Sequence, residues 1–104
     1  MLNLRLSTDS FGRILLSSDI VKMYKFDGAH EGNPARVELG YVAELSAIAI
    51  RKSVGNDPTA AHVDKRGYIS ARRLFRKSRI KAEPARYEFD GEQDGWLIFV
   101  RETE

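Results

Sequence analysis

The stretch Asp9-Ser10-Phe11-Gly12-Arg13-Ile14 recurs 55 residues later as Asp64-Lys65-Arg66-Gly67-Tyr68-Ile69. Each copy follows a short alternating stretch and places Asp, Gly and Ile at equivalent positions. An Asp side chain can accept a hydrogen bond from the backbone two residues on, and Gly adopts a positive φ at little cost. The pattern Asp-x-x-Gly therefore predicts a tight bend between two short strands, and its recurrence predicts an internal duplication.

A helix-length segment follows each bend. In the first copy, Ser17 or Ser18 is placed to cap a helix that ends at Phe26-Asp27-Gly28. In the second copy, Ser70 is the predicted cap of a helix over 71–79. Ser is a favoured residue at a helix N-cap, and Gly or Pro commonly marks the end of a helix. Both copies are thus expected to continue from the bend into a short helix.

Each copy then ends in a predicted β-hairpin. In the first copy, Arg36–Val42 alternates between apolar and polar residues and is predicted to pair with Ala47–Ile50. In the second copy, Arg86–Phe89 is predicted to pair with Trp96–Val100 across the turn-forming residues Asp90–Gly95. The order within a copy is strand, bend, strand, helix and hairpin. The predicted boundaries are 1–52 for the first repeat, 53–60 for a linker and 61–104 for the second repeat, all in one compact domain.

Composition favours an ordinary soluble protein. The chain has 104 residues, of which 42% are hydrophobic and 31% charged, and it has no cysteine. This length corresponds to about one domain, and the absence of cysteine excludes disulfides, thiolate zinc sites and cysteine nucleophiles. Because the sequence contains neither a long apolar run nor a signal-peptide pattern, we expect a cytoplasmic protein that does not enter a membrane.

The net charge of +2 conceals an uneven distribution. Eight basic residues and no acidic residue lie between Lys65 and Lys81. The other nine basic and 15 acidic residues leave the rest of the chain net negative by six. Such a separation attracts a polyanion to one part of the surface and repels it from another, which orients any encounter.

The second copy resembles the swapped-hairpin DNA-binding domain of the AbrB, SpoVT and MraZ transition-state regulators. The resemblance lies in His62–Ile69, the basic Leu-Phe-Arg-Lys helix that follows it and the Ile-Lys-Ala-Glu step after the helix. The first copy keeps the family's Gly-Arg pair, and Asp9 with Arg13 matches the Asp-x-x-x-Arg signature of the MraZ group, whose chains hold two copies. In two respects the chain departs from the family: Tyr68 replaces the second Arg, and neither copy has the usual Pro before the helix.

The resemblance implies a mixed, mainly β fold with short helices. The two strand-bend-strand-helix-hairpin repeats would form a pseudo-twofold swapped-hairpin β-barrel. Single-copy members build that barrel as homodimers, whereas tandem copies can supply both halves in one chain. The sequence leaves open whether the chain closes its own barrel or exchanges hairpins with another copy, as a homodimer or higher homo-oligomer.

The cations of the second predicted helix lie opposite apolar Leu74 and Phe75. Like charges at i, i+4 destabilise a helix by about 0.2–0.5 kcal/mol per pair. So many cations on one helix therefore indicate that the positive electrostatic field of the helix has a function. We therefore predict a non-enzymatic protein that binds duplex DNA, as a transcriptional regulator, through phosphate contacts and contacts of arginine with guanine. The candidate nucleic-acid-binding residues are Arg13, Lys65, Arg66, Arg72, Arg73, Arg76, Lys77 and Arg79.

Several alternatives remain at the sequence level. The basic face can be a solvated surface that pairs with the chain's own Glu83, Glu88, Asp90 and Glu92. It can also belong to a protein-interaction module, antitoxin-like or a virus-encoded adaptor, that docks on an acidic protein partner. Asp9 and Asp64 can form their turns and do nothing more.

Catalytic and metal chemistry finds no support in the sequence. His30 and His62 lack metal-ligand spacing, the serines lack an adjacent base, and no phosphate loop or dinucleotide fingerprint occurs. We therefore expect no catalytic residue, no metal and no cofactor. Trp96 opens an unbroken apolar run that predicts a strand buried on both faces, with Trp96 as a partner-binding anchor as the alternative.

Overall fold

A computed structural model describes residues 2–26, 35–53, 60–64 and 66–103, and in these residues eight strands close an antiparallel barrel beside two short α-helices. This confirms the expected mixed, mainly β fold. The strands are β1 (Arg5–Thr8), β2 (Arg13–Leu16), β3 (Ala35–Val42), β4 (Ala47–Lys52), β5 (Ala61–Val63), β6 (Tyr68–Ser70), β7 (Ala85–Gln93) and β8 (Trp96–Arg101). The helices are α1 (Ser18–Met23) and α2 (Arg72–Ser78).

The two repeats exchange their hairpins. The strand order is β1-β2-β6-β5-β3-β4-β8-β7, and β7 closes the barrel on β1. The opening strand of each repeat therefore pairs with the closing hairpin of the other, β1 with β7 and β5 with β3. Ile14 of β2 faces Ile69 of β6 at the centre of this exchange. The pseudo-twofold arrangement is thus completed within a single chain.

A second internal repeat marks the closing hairpins. Ala35-Arg36-Val37-Glu38 recurs 50 residues later as Ala85-Arg86-Tyr87-Glu88. The two segments occupy equivalent places, because Ala35 pairs with Val63 while Ala85 pairs with Thr8. The spacing drops from 55 to 50 residues because the connection between helix and hairpin is shorter in the second copy. The search for repeats at a spacing of 55 residues missed this match between the hairpins.

The barrel interior is filled from both repeats. Ile14, Ile69, Ile48 and Phe99 have no solvent exposure. Helix α1 adds Ile20 to the same cluster, and α2 adds Leu74 and Phe75. Because each repeat supplies one wall and one helix, neither repeat has a core without the other.

The helix boundaries differ from prediction in both copies. Ser70 is not a cap but the last residue of β6, and Ala71 occupies the N-cap. The backbone N–H of Ala71 donates to the carbonyl of Gly12 at 2.8 Å, so a contact with the other repeat fixes the start of α2. Arg79 ends the helix with φ of 57°. In the first copy Ser17 is the N-cap as expected, although its hydroxyl makes no capping bond. Helix α1 ends at Met23, before the predicted end at Phe26, because Lys25 adopts a positive φ of 57°.

The second hairpin is longer than predicted. Strand β7 continues to Gln93 through an irregularity between Phe89 and Gly91, so the turn is reduced to Asp94-Gly95. Both turn residues have positive φ, 54° and 84°, which is the type I′ geometry that suits a two-residue hairpin. The predicted six-residue turn over 90–95 was wrong because β7 continues through a bulge at Asp90, after which Gly91, Glu92 and Gln93 still pair with β8.

Strand β8 is buried on one face only. Leu97 and Phe99 point into the barrel, whereas Trp96, Ile98 and Val100 are half-buried on the outside. The prediction of a strand buried on both faces was therefore wrong. Trp96 and Ile98 help to line a shallow outer cavity of about 350 Å³, and Arg51 stacks 4.4 Å from the Trp96 ring centroid.

Some predictions fall on residues outside the described ranges. These are the linker positions 54–59, Asp27 and Gly28, His30 and Lys65. The boundaries between repeats and linker stay a prediction. Neither helix of the described residues has the length or the apolar character needed to cross a bilayer.

Candidate nucleic-acid interface

The first bend is built around the Asp9 carboxylate. Its Oδ1 accepts the backbone N–H of Phe11 at 2.9 Å and of Arg13 at 3.0 Å, while its Oδ2 accepts Arg13 Nε at 2.8 Å. The N–H of Gly12 donates to the Asp9 carbonyl at 3.3 Å. The bend is therefore closed by both the side chain and the backbone of one residue, as the Asp-x-x-Gly pattern predicted.

The second bend repeats the same bonds. Asp64 Oδ1 accepts the N–H of Arg66 at 2.8 Å and of Tyr68 at 2.9 Å. Asp64 Oδ2 accepts Arg66 Nη2 at 3.3 Å, and the N–H of Gly67 donates to the Asp64 carbonyl at 3.0 Å. The arginine that pairs with the carboxylate thus sits two residues after Asp in the second copy and four residues after it in the first.

Both carboxyl groups have a pKa below the ordinary value of 3.8. Desolvation acts in the opposite direction and raises the pKa of each. The backbone hydrogen bonds, together with the hydrogen bond and charge of Arg13 at Asp9 and of Arg66 at Asp64, outweigh it. The ionised form of each carboxylate is therefore the one that holds its bend.

The two bends are joined across the pseudo-twofold. The Ala71 N–H reaches the Gly12 carbonyl at 2.8 Å, and symmetrically the Leu16 N–H reaches the Gly67 carbonyl at 3.0 Å. Both glycines have a positive φ, 79° at Gly12 and 90° at Gly67. A Cβ at Gly67 would lie 3.1 Å from the Leu16 carbonyl oxygen. The bends are therefore fixed relative to each other.

A group of cationic and aromatic side chains connects the bends. Arg13 Cζ lies 5.4 Å from the Phe11 ring centroid and 4.7 Å from the Tyr68 ring centroid. Arg66 Cζ lies 4.9 Å from the same Tyr68 ring, and Arg72 Nε donates to the Phe11 carbonyl at 3.1 Å. We call these five residues the bend cluster. Arginines at an aromatic ring and in hydrogen bonds hold defined positions, which lowers the entropy lost when they bind a ligand.

Helix α2 extends the positive charge from this cluster. Leu74 and Phe75 are buried beneath it. The cationic residues of the helix and its C-cap are all exposed, and we call them the α2 cation face: Arg72, Arg73, Arg76, Lys77 and Arg79. Since the first of them also belongs to the bend cluster, the two groups form one continuous basic surface.

The chain's own acids do not neutralise the α2 cation face in the part of the chain that the structure describes. The ion pairs found there are Asp9 with Arg13, Glu38 with Arg51, Asp64 with Arg66, and Glu83 with Arg101. Glu83, one of the predicted internal partners, is engaged by Arg101 at 2.9 Å, which lowers its pKa. The interpretation of an internally paired helix is therefore unsupported, whereas a solvated face remains compatible with the structure.

Exposed acids are concentrated at the end of the closing hairpin. Asp90, Glu92 and Asp94 are exposed there. Strand β7 places Ala85 beside Thr8, next to the first bend, and runs away from it toward these acids. The basic surface and the acidic hairpin thus lie toward opposite ends of the strands, which gives the uneven sequence charge a spatial direction.

The structure gathers most of the predicted site residues. Arg13, Arg66 and Arg72 meet in the bend cluster, the helical cations share one face, and Lys65 lies outside the described residues. Sequence reasoning missed the roles of Tyr68 and Phe11 in positioning these arginines. The available signal was the alternation of cations with aromatic residues inside both copies of the bend motif.

Helix α1 is not an equivalent basic surface. Lys22 lies in its last turn and Lys25 just after it, but Asp19 occupies its first turn. The residue 55 positions after Lys22 is Lys77, so the chain contains one matched lysine pair on two otherwise different helices. The basic surface therefore breaks the pseudo-twofold symmetry of the fold.

Metal-binding chemistry has no candidate site among the described residues. No group of three or more His, Asp or Glu side chains comes together within those ranges. His62 is an exposed residue of β5, paired in the ladder with Arg36.

Comparisons with models of protein families, with curated proteins and with solved structures gave no match.

Proposed function

We propose that this chain is a cytoplasmic, non-enzymatic regulator of transcription of the AbrB, SpoVT and MraZ kind that binds duplex DNA through the bend cluster and the α2 cation face. The observation that carries the proposal is one continuous basic surface whose arginines are held in place by aromatic rings, by the carboxylates of Asp9 and Asp64 and by the Phe11 carbonyl. Phosphate contacts by Lys and Arg supply most of the affinity of such proteins, and ordered arginines can add bidentate contacts to guanine.

The symmetry of the bends supports a duplex as the ligand. Ile14 and Ile69 pair at the pseudo-twofold, so the two bends are related by the same operation. Duplex DNA has local dyads, and proteins that read it commonly present two similar elements about a twofold axis. Two bends fixed to each other by hydrogen bonds through Gly12 and Gly67 can meet two positions of one groove without rearrangement.

The test is salt-dependent binding to a fluorescent duplex of about 30 base pairs, measured by anisotropy at 50–200 mM salt. The informative variant combines Arg73→Gln, Arg76→Gln and Lys77→Gln, because these side chains are exposed and make no ion pair with a described residue. If each contacts a phosphate, the slope of log K against log salt should decrease by about 2–3. A urea midpoint equal to that of the wild type shows that the fold is intact.

The matched control is Lys22→Gln against Lys77→Gln. Both remove one exposed lysine from the last turn of a helix, but only Lys77 belongs to the α2 cation face. Lys77→Gln should lower the salt slope by about 0.9, and Lys22→Gln should change it less. Equal effects would contradict the unequal use of the two copies.

Two outcomes would overturn the proposal. The first is no binding to duplex DNA at 50 mM salt. The second is tighter binding to polyglutamate than to DNA, combined with a pull-down that survives nuclease treatment and recovers one stoichiometric acidic protein. The second outcome would establish the protein-interaction module instead, because the same cations would then recognise carboxylates.

A further inference from the structure

Phe11 is an exposed aromatic side chain at the tip of the first bend. Its exposed fraction is 64%, the highest among the large apolar side chains of the described residues. A lone exposed apolar residue is ordinary on a protein surface. Phe11 differs because the backbone around it is fixed and because its neighbours are cations.

Hydrogen bonds on both sides immobilise the Phe11 backbone. Its N–H donates to Asp9 Oδ1 at 2.9 Å, and its carbonyl accepts Arg72 Nε at 3.1 Å from the other repeat. The next residue, Gly12, accepts the Ala71 N–H at 2.8 Å. A ring on such a fixed backbone can contact a ligand with little further loss of conformational entropy.

The neighbours of Phe11 place it where a phosphate backbone would pass. Arg13 lies 5.4 Å from its ring centroid and Arg72 holds its carbonyl. If those guanidinium groups bind phosphates on either side, the ring faces the groove between them. Apolar side chains in this situation insert between base steps, and aromatic rings stack on the face of any base.

The second bend carries a different residue at the equivalent position. Arg66 stands 55 residues after Phe11, with the same N–H bond to its Asp, here Asp64 Oδ1 at 2.8 Å. Its guanidinium stacks 4.9 Å from the Tyr68 ring centroid. One tip of the pseudo-twofold thus presents an apolar ring, and the other presents a cation.

We infer that Phe11 inserts into the bound duplex and unstacks one base step, so that this protein bends its DNA at one half-site and recognises a non-palindromic site. The inference rests on the proposed function and adds to it the deformation of the DNA. The half-site under the second bend, met by Arg66, stays stacked. Flexible pyrimidine–purine steps under Phe11 bind best, because they cost least to unstack.

The test uses duplexes with the fluorescent base 2-aminopurine at successive positions, whose emission rises when the base loses its stacking neighbour. The wild-type protein should raise emission at one step only and shorten the end-to-end distance measured by energy transfer. Phe11→Ala should abolish both signals at protein concentrations that saturate the duplex, and it should also weaken binding, because Phe11 belongs to the bend cluster and its ring contacts Arg13. Phe11→Trp should restore them, and Leu45→Ala, at another exposed apolar side chain, should have no effect.

The outcomes separate this inference from the proposed function. Binding without any rise in emission, or a rise that Phe11→Ala retains, overturns the inference and leaves DNA binding intact. A rise at two symmetric steps overturns the asymmetry. Absence of binding to every duplex at 50 mM salt overturns both.

Discussion

Gly67 and Gly95 have nearly the same positive φ but different surroundings, and this difference gives a sharp stability test. Their φ angles are 90° and 84°. A Cβ at Gly95 meets nothing within 4 Å, whereas a Cβ at Gly67 lies 3.1 Å from the Leu16 carbonyl oxygen and 3.4 Å from Val21 Cγ2. Alanine at either position incurs the cost of a positive φ, and only at Gly67 does it also push against the other repeat.

The expected magnitudes follow from these contacts. The left-handed backbone costs an L-residue about 1–2 kcal/mol, so Gly95→Ala should lower the free energy of unfolding by about that amount. Overpacking adds about 1–3 kcal/mol, so Gly67→Ala should cost about 2–5 kcal/mol. For a domain of this size, each kcal/mol lowers Tm by about 4–8 °C. The crowded contact should therefore be visible as a large difference between the two variants.

Urea unfolding followed by Trp96 fluorescence and far-ultraviolet circular dichroism measures the difference. Coincident transitions with equal slopes justify comparing the midpoints directly. Gly12→Ala serves as a third case, because its Cβ would lie 2.7 Å from Arg72 Cγ. It should be less stable than Gly95→Ala, since Cγ lies close to the backbone and must move, and this movement should displace Arg72 from the Phe11 carbonyl. If Gly67→Ala and Gly95→Ala prove equally stable, the tight junction between the bends does not exist.

Two further predictions concern the bend cluster. Because the folded-state pKa of Asp9 and Asp64 is lowered, their contribution to stability is complete above the unfolded value near 3.8 and is lost as pH falls through the lower folded values. The double variant Asp9→Asn with Asp64→Asn should have a lower free energy of unfolding than the wild type at pH 7 and should lose less of it below pH 4. Urea midpoints measured across this pH range test the prediction, and parallel pH profiles of the two proteins would contradict it. Tyr68→Phe should keep duplex affinity because it retains the ring beside Arg13 and Arg66, whereas Tyr68→Ala should weaken binding several-fold at constant salt slope. Equal affinities of the two variants would show that the ring does not position the arginines.

The asymmetry of the surface has a consequence for how the duplicated fold is used. The barrel needs both repeats equally, since each supplies walls and a helix to one core. The surface has no such constraint, because exposed side chains can change with little effect on stability. Phe11 and Arg66 show how two copies of one backbone present different chemistry while the interior keeps its twofold pairing of Ile14 with Ile69.

Local features were predictable where the signal was local. The bends followed from Asp9 and Asp64 with their glycines, since an Asx turn involves only four or five consecutive residues. The first hairpin followed from its alternation. The cap at Ser70 was wrong because a contact between the repeats, not a side-chain bond, fixes the start of α2. The turn at 90–95 was wrong because β7 continues through a bulge at Asp90 and pairs with β8 as far as Gln93.

The sequence by itself determined the repeated units, their two bends, the separation of charge and, through a resemblance, the barrel. Only the tertiary structure decided how Arg13 and Arg66 share the Tyr68 ring and how Arg72 crosses to the Phe11 carbonyl. Arg72 and Phe11 are 61 residues apart. Contacts at that separation depend on the free energy of the whole closed barrel, because each pairs residues that no local propensity brings together.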